Sequence, residues 1–212
     1  MGILEDISSA LQRGNGKDVG KLVEEALAGR REPKEILDNG LIAGMNVIGQ
    51  KYKDHEIFLP EVLLAAKAMY AGMDILKPLF LSGKMPTLGR VVIGTVQGDI
   101  HDIGKNLVCI MLRGAGFEVI DLGKDVAPKK FVDTAVNEGA RVIGMSALLT
   151  TTMPVMKNVV ELLKKDGLQS KIKTIIGGAP VSDEFARHIG ADAYGYDSMQ
   201  AVERIKRFFS EA

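Results

Sequence analysis

The chain has no tryptophan, a single cysteine at Cys109 and only three histidines among its 212 residues. One cysteine cannot form an intramolecular disulfide, which fits a reducing compartment. Aromatic residues make up 5%, too few for alternating stacking platforms. Neither sign of charge is in excess: 27 basic and 27 acidic side chains leave a formal net charge of zero, so no basic surface for nucleic acid is expected. No apolar run reaches the roughly 18 residues of a membrane span, and the N-terminal MGILEDISSALQRG is acidic where a signal peptide is basic. Met1-Gly2 is not a myristoylation signal, because Asp6 stands where Ser or Thr is wanted. These absences predict a cytoplasmic protein with neither nucleic acid nor membrane as partner. Its length suffices for one large domain or two small ones.

What is present falls into two halves. Residues 1–80 read as helices only. Ile3, Leu4, Ile7 and Leu11 share one helical face, and after Asn15-Gly16 the pattern returns with Val19, Leu22, Val23, Ala26 and Leu27. Gly29 closes that helix and Pro33 opens the next, which continues through Ile36, Leu37, Leu41, Met45 and Ile48. A fourth segment from Pro60 is apolar around much of its circumference, as if it covers something. The expectation is a small antiparallel four-helix bundle, with Met45 and Met69 as core fillers and His55 on the surface. Residues 81–89, rich in Gly, Pro and Lys, form a linker.

From 90 to 212 short β-rich runs alternate with helical ones. RVVIGTV, FEVIDL, RVIGMSA, IKTIIGG and ADAYGY predict five strands, with helices near 103–114, 128–138, 153–166, 182–188 and 198–209. The fold class is α/β, with a flavodoxin-like (Rossmann-type) parallel sheet following the bundle. Continuous apolar runs such as VVIG and TIIG fit strands covered on both faces. With strand order 2-1-3-4-5, ligands bind beyond the carboxyl ends of strands one and three. The loops there, QGDIHDIG and SALLTTTM, bring Asp99 and His101 towards Ser146, Thr150, Thr151 and Thr152.

Several chemistries compete for the histidine loop. Gly98, Gly104 and Lys105 imitate a phosphate loop, but one residue too many separates the glycines and Asn106 replaces the magnesium-binding hydroxyl. A zinc or two-metal site lacks ligands, since the other histidines are His55 and His188. A helix cap would be better served by Asp102 than by a histidine. The remaining reading is a single axial ligand. A metal-bound histidine commonly donates its second N–H to a carboxylate, and Asp99 is two residues away. One protein ligand suffices where a tetrapyrrole-like ring brings the others.

Asp99-x-His101-x-x-Gly104, then 41 residues, Ser146-x-Leu148, then 28 residues and Gly177-Gly178 resembles the cobalamin-binding signature of B12-dependent methionine synthase and its relatives. Upstream, GQKYKDHEIFLPEVLLAAKAM is similar to the end of that family's helical cap, so the resemblance covers nearly the whole chain. Size and the MSALLTTTM loop look most like stand-alone corrinoid proteins carrying methyl groups from methylamines, methanol or aryl methyl ethers. The resemblance implies a helical cap at 1–80 and a cobalamin-binding domain at 90–212. It implies cobalamin or a related corrinoid as cofactor, with His101 replacing the cofactor's base as lower ligand to cobalt. Gly98, Asp99, Ile100, Asp102, Gly104, Ser146, Leu148, Thr150, Thr152, Gly177, Gly178 and Gly195 would surround it, and Gly177 and Gly178 would leave room for the displaced nucleotide tail. Thr152 stands where the family usually has serine, and a β-branched hydroxyl has fewer rotamers.

Phe58, with Val62, would shield the upper face, and residues 81–89 would serve as hinge. By this resemblance the protein is a non-enzymatic carrier that accepts a methyl group on Co(I) and donates it from methyl-Co(III). Its partners would be a substrate:corrinoid methyltransferase, a second methyltransferase serving a thiol or tetrahydrofolate, and a reductive activation protein. A B12-dependent sensor or regulator is the alternative. Cys109 is expected to be a small buried apolar residue rather than a nucleophile, and Asp102 is compatible with either a helix cap or a contact to the nucleotide.

Overall fold

The structure, a computed structural model, describes residues 2–79 and 86–210. The chain divides into two compact units, Met1–Thr87 with Gly114–Gly116, and Leu88–Arg113 with Phe117–Ala212. Residues 81–85 of the expected linker and hinge lie outside the described residues.

The first unit is helical: α1 (Ile3–Gln12), α2 (Gly16–Ala28), α3 (Pro33–Ile36), a π-helical stretch (Leu37–Ile42), α4 (Ala43–Lys53) and α5 (Leu59–Leu76). The predicted stripes are the buried ones, with Ile7, Leu11, Val19, Val23, Leu41 and Ile48 removed from solvent. Asn15 caps α2, its Oδ1 accepting the Asp18 N–H at 3.2 Å. Glu61 reaches back to the Phe58 N–H at 3.1 Å and Pro60 sits in the first turn of α5. Gly29 ends α2 with an ordinary negative φ, and it is Arg30 that turns left-handed, φ 63°. The third predicted helix is continuous from α3 to α4, but its middle is π-helical: the Ala43 N–H donates to Asp38 O, five residues back. Two glycines there allow close approach to α1. A Cβ on Gly40 would lie 3.1 Å from Ile7, and one on Gly44 would lie 3.1 Å from the Ser8 backbone. Met45 and Met69 are buried and His55 is exposed.

The second unit is one parallel sheet in the order β2-β1-β3-β4-β5, as expected: β1 (Arg90–Thr95), β2 (Glu118–Asp121), β3 (Val142–Ser146), β4 (Lys173–Gly177) and β5 (Ala193–Gly195). The crossover helices are α6 (Ile103–Gly114), α7 (Pro128–Asn137), α8 (Pro154–Lys165) and α9 (Asp183–Ile189), and α10 (Ser198–Ser210) closes the unit. Side chains alternate across a strand. Val92 and Ile143 point with Phe131, Val159 and Leu163 into an apolar core. The opposite face is unusually small-sided. Register aligns Thr95, Ser146, Gly177 and Gly195 in one row across four strands, with Ile93, Gly144 and Ile175 in the row before. Gly144, Ser146, Gly177 and Gly195 line a hollow on this face, and the bareness of Gly195 also seats α10, since a Cβ there would lie 2.9 Å from Ala201 Cβ.

Candidate functional site

That hollow is a cavity of about 770 Å³ at the carboxyl ends of β1, β3, β4 and β5, walled by α6 and α10. Ile100, His101, Asp102, Gly104, Ser146, Leu148, Gly177, Gly178 and Gly195 all line it. Of the other expected site residues, Asp99 and Thr152 are buried; Asp99 is hydrogen-bonded to His101, and the Thr152 hydroxyl lies against Asp99. Gly98 and Thr150 are exposed and Phe58, on the helical unit, is 68% exposed. Val62 is fully buried and offers no surface to a ligand.

The geometry around His101 begins with Asp99, whose side chain is fully buried. Its Oδ1 accepts the His101 backbone N–H at 3.0 Å and lies 2.8 Å from His101 Nδ1. Its Oδ2 accepts the backbone N–H groups of Leu148 (2.7 Å) and Leu149 (3.1 Å). The Thr152 hydroxyl lies 3.0 Å from the same oxygen and 2.8 Å from Leu149 O, so its single proton serves one of two acceptors. Burial opposes the charge on Asp99. Hydrogen bonds from the His101 and Leu148 backbone, the His101 ring and the Leu149 backbone outweigh it and hold the carboxyl far below the usual range. An ionised carboxylate only accepts, so Nδ1 carries the proton and Nε2 is the ring nitrogen available to a ligand. The imidazole is 47% exposed and lines the cavity. Among the described residues no three His, Cys, Asp or Glu side chains cluster as ligands for a metal ion. A metal bound at His101 would have one protein ligand there.

The glycines divide by what a side chain would meet. Beyond its chain neighbours and the backbone of its own helix, a Cβ on Gly104 would find no atom within 4 Å, so its bareness opens the cavity. Gly178 has φ +126°, and a Cβ there would come 1.9 Å from Ala147 O. Its need is therefore close backbone approach of two loops as well as room for a ligand. Gly98 is left-handed, φ +84°.

Thr95 and Asp125 carried no local signal. The buried Thr95 hydroxyl donates to His101 O at 3.0 Å. Asp125, on the loop after β2, accepts the Gly98 N–H at 2.7 Å. Lys105 is buried at the cavity wall, its Nζ donating to both Asp121 oxygens at 2.6 Å and to Asn106 Oδ1 at 2.8 Å. Its charge is thus matched inside the protein. Burial opposes the charge of Asp121, but Lys105 and the Gly123 N–H hold its carboxyl below the usual range. Cys109 is buried, and burial, with Asp121 adding to it, pushes its thiol up to about 12, so it remains an unreactive thiol. Asp102 lies 3.9 Å from Lys124 Nζ, at the rim.

Comparison with known proteins agrees with this layout. The B12 binding domain matches residues 89–203, and a second family of the same description matches residues 3–77. The chain is 44% identical over 209 residues to dimethylamine corrinoid protein 1 of Methanosarcina acetivorans, covering 98% of each. It is 45% identical over 188 residues to trimethylamine corrinoid protein 1 of that organism, covering 88% of this chain and 87% of the other. A chain in the crystal structure of the methanol:cobalamin methyltransferase complex MtaBC from Methanosarcina barkeri matches with a TM-score of 0.92 at 30% identity, over 99% of this chain and 80% of that one. A cobalamin-binding protein from Desulfitobacterium hafniense DCB-2 matches with a TM-score of 0.78 at 30% identity, over 97% and 98% of the two chains. With both B12 binding families matched and near-complete coverage of its relatives, this chain belongs to the corrinoid proteins built on the B12 binding domain.

Proposed function

We propose that this protein is the corrinoid-bearing methyl carrier of a methyltransferase system, with His101 as the lower axial ligand of the cobalt. The observation that carries the reading is the imidazole at the cavity, its Nδ1 proton held by a buried carboxylate and its Nε2 left for a ligand. The residues present fit such a group. The donor set is one imidazole, which a macrocyclic metal requires and a bare cation does not favour. Beside it lies a hollow of small residues in which Gly104 offers open space. Ile100, Ile103, Leu148, Leu149 and Tyr196 are exposed on the same unit as apolar surface for a large ring.

When bound, the corrinoid supplies the methyl-transfer chemistry itself. The chain's own residues do the rest. Asp99 fixes the tautomer and orientation of His101, leaving Nε2 as the nitrogen that would hold the metal. The backbone N–H groups of His101, Leu148 and Leu149 and the His101 ring keep Asp99 ionised, and Thr95 holds the His101 carbonyl. The hollow lined by Ser146, Gly177 and Gly195 would take the displaced nucleotide tail. In this reading residues 1–80 are the cap domain, 81–89 the linker and 90–212 the binding domain.

The donor we favour is a methylated amine, supported by relatives named for dimethylamine and trimethylamine at 44–45% identity against 30% for the methanol complex. The partners are then an amine:corrinoid methyltransferase, a second methyltransferase and a reductive activator, all in the cytoplasm. Among the described residues no helix is long and apolar enough to cross a membrane.

The test is the visible spectrum after mixing with hydroxocobalamin. The wild type is expected to bind it with the base displaced by imidazole. His101→Ala is expected to retain corrinoid through the tail slot without the imidazole-bound spectrum, and with altered reduction potential and methyl transfer. A wild type that binds no corrinoid defeats the reading, and an unchanged His101→Ala defeats the ligand assignment. Methylating the reduced protein through amine, methanol or aryl methyl ether methyltransferases then identifies the donor.

A further inference from the structure

One carboxylate near the axial histidine belongs neither to the network around its ring nor to the cavity wall. Asp125 lies on the loop between β2 and α7, and it bonds the His101 loop twice. Its Oδ1 accepts the Gly98 N–H at 2.7 Å, and its own N–H donates to Asp99 O at 3.1 Å. One residue therefore grips the donor of Gly98 and the acceptor of Asp99, the backbone leading directly into Ile100 and His101. The grip is itself anchored. Thr95 donates its N–H to Gly123 O at 2.9 Å and Val126 donates to Thr95 O at 3.0 Å, while Val96 and Val126 bridge in parallel. On the far side of His101, Lys124 of the same loop reaches Asp102 at 3.9 Å.

Asp125 adopts φ +54°, which few non-glycine residues accept, and Gly98 opposite it adopts φ +84°. Two left-handed residues locked to each other form an arrangement that persists only where surrounding contacts over-determine it. Asp and Asn are the side chains that tolerate this region best.

We propose that Asp125 is a positioning residue for the axial ligand: it fixes the backbone of Gly98 and Asp99, and so the placement of the His101 imidazole relative to the cavity. This rests on the reading of His101 as the cobalt ligand. Asp125 acts through backbone alone and leaves the Asp99–His101 and Asp99–Thr152 bonds untouched. Removing it changes where the imidazole is held and does not remove the imidazole's partner. Sites held through such outer contacts lose affinity when the contacts go, although every direct ligand remains.

Two variants separate the hydrogen bond from the backbone preference. Asp125→Gly keeps the left-handed conformation and loses the acceptor. Asp125→Asn keeps both. Three quantities are read: hydrogen exchange at the Gly98 amide in cofactor-free protein, affinity for hydroxocobalamin, and the imidazole-bound fraction from its visible spectrum. In Asp125→Gly the Gly98 amide is expected to exchange about tenfold faster and corrinoid affinity to fall about tenfold, the scale of one lost charge-assisted bond. The imidazole-bound fraction falls with it. Asp125→Asn is expected to match the wild type in all three. Wild-type affinity and spectrum in Asp125→Gly overturn the proposal, as does an Asn variant as impaired as the Gly one. An unprotected Gly98 amide in the wild type overturns it even if Asp125→Gly fails to fold. A wild type that binds no hydroxocobalamin fails the axial-ligand reading itself, whereas normal binding with an indifferent Asp125 fails only this inference.

Discussion

Asp99 is the residue on which the site turns, because its two carboxylate oxygens lie within hydrogen-bond distance of five polar groups from two loops. Thr152 is the only side-chain hydroxyl among them. Thr152→Val replaces that hydroxyl with a methyl of the same shape and leaves Oδ2 two amide donors. It is expected to cost about 1–2 kcal/mol, the worth of a buried hydrogen bond to a charged group, while Thr152→Ser stays near the wild type. Urea unfolding measures both, and a Val variant as stable as the wild type would show that the hydroxyl spends its proton on Leu149 O alone. The pairing of Asp99 with His101 was legible from the residues, and the hydroxyl at 152 from the family resemblance. Asp125 and Thr95 were not: Asp125 meets Gly98 from 27 positions away, and no local pattern encodes a bond to a backbone amide.

At the scale of elements, the glycines show that one residue type serves opposite needs. Gly104 lies in the first turn of α6, where a would-be Cβ has no atom within 4 Å beyond its chain neighbours and its own helix backbone. Gly104→Ala is expected to raise stability by about 0.5–1 kcal/mol through helix propensity and yet to weaken corrinoid binding by intruding on the cavity. Gly178→Ala is expected to lose at least about 2 kcal/mol, from a left-handed φ and a collision with Ala147 O that parts the β3–α8 and β4–α9 loops. Chemical denaturation and hydroxocobalamin titration of both variants check the pair. A Gly104→Ala protein that binds corrinoid as tightly as the wild type would place the cofactor elsewhere. Strand and helix segments followed from hydrophobic periodicity. The π-helical Leu37–Ile42 did not, because it answers to the contact of Gly40 and Gly44 with α1 and a helical pattern reads the same through it.

For the whole molecule, the buried and paired carboxyls govern acid stability. Asp99 and Asp121 are both held below the ordinary value of 3.8. Protons therefore bind the unfolded chain first as pH falls. The stability these groups contribute is fully present above about pH 5 and drains away through pH 4 and below. Asp99→Asn removes its share, so the urea midpoint between about pH 5 and pH 3 is expected to fall less steeply in the variant than in the wild type. Equal slopes would mean that folding does not depress the Asp99 carboxyl, and its hydrogen bonds would then not be what holds it ionised.

The residues alone determined the order of elements, the change from helical to alternating grammar near residue 90, and the Asp99–His101 pair. Each of these is local, written in periods of 3.6 and 2 or in a spacing of two positions. Only the tertiary structure decided which distant atoms meet. Parallel register set Thr95, Ser146, Gly177 and Gly195 in one row and so made the hollow. The amides of Leu148 and Leu149, some fifty positions on, closed over Asp99. Such contacts follow from the stacking of strands and the path of loops between them, and a chain read residue by residue carries no record of which amide will face which carboxylate.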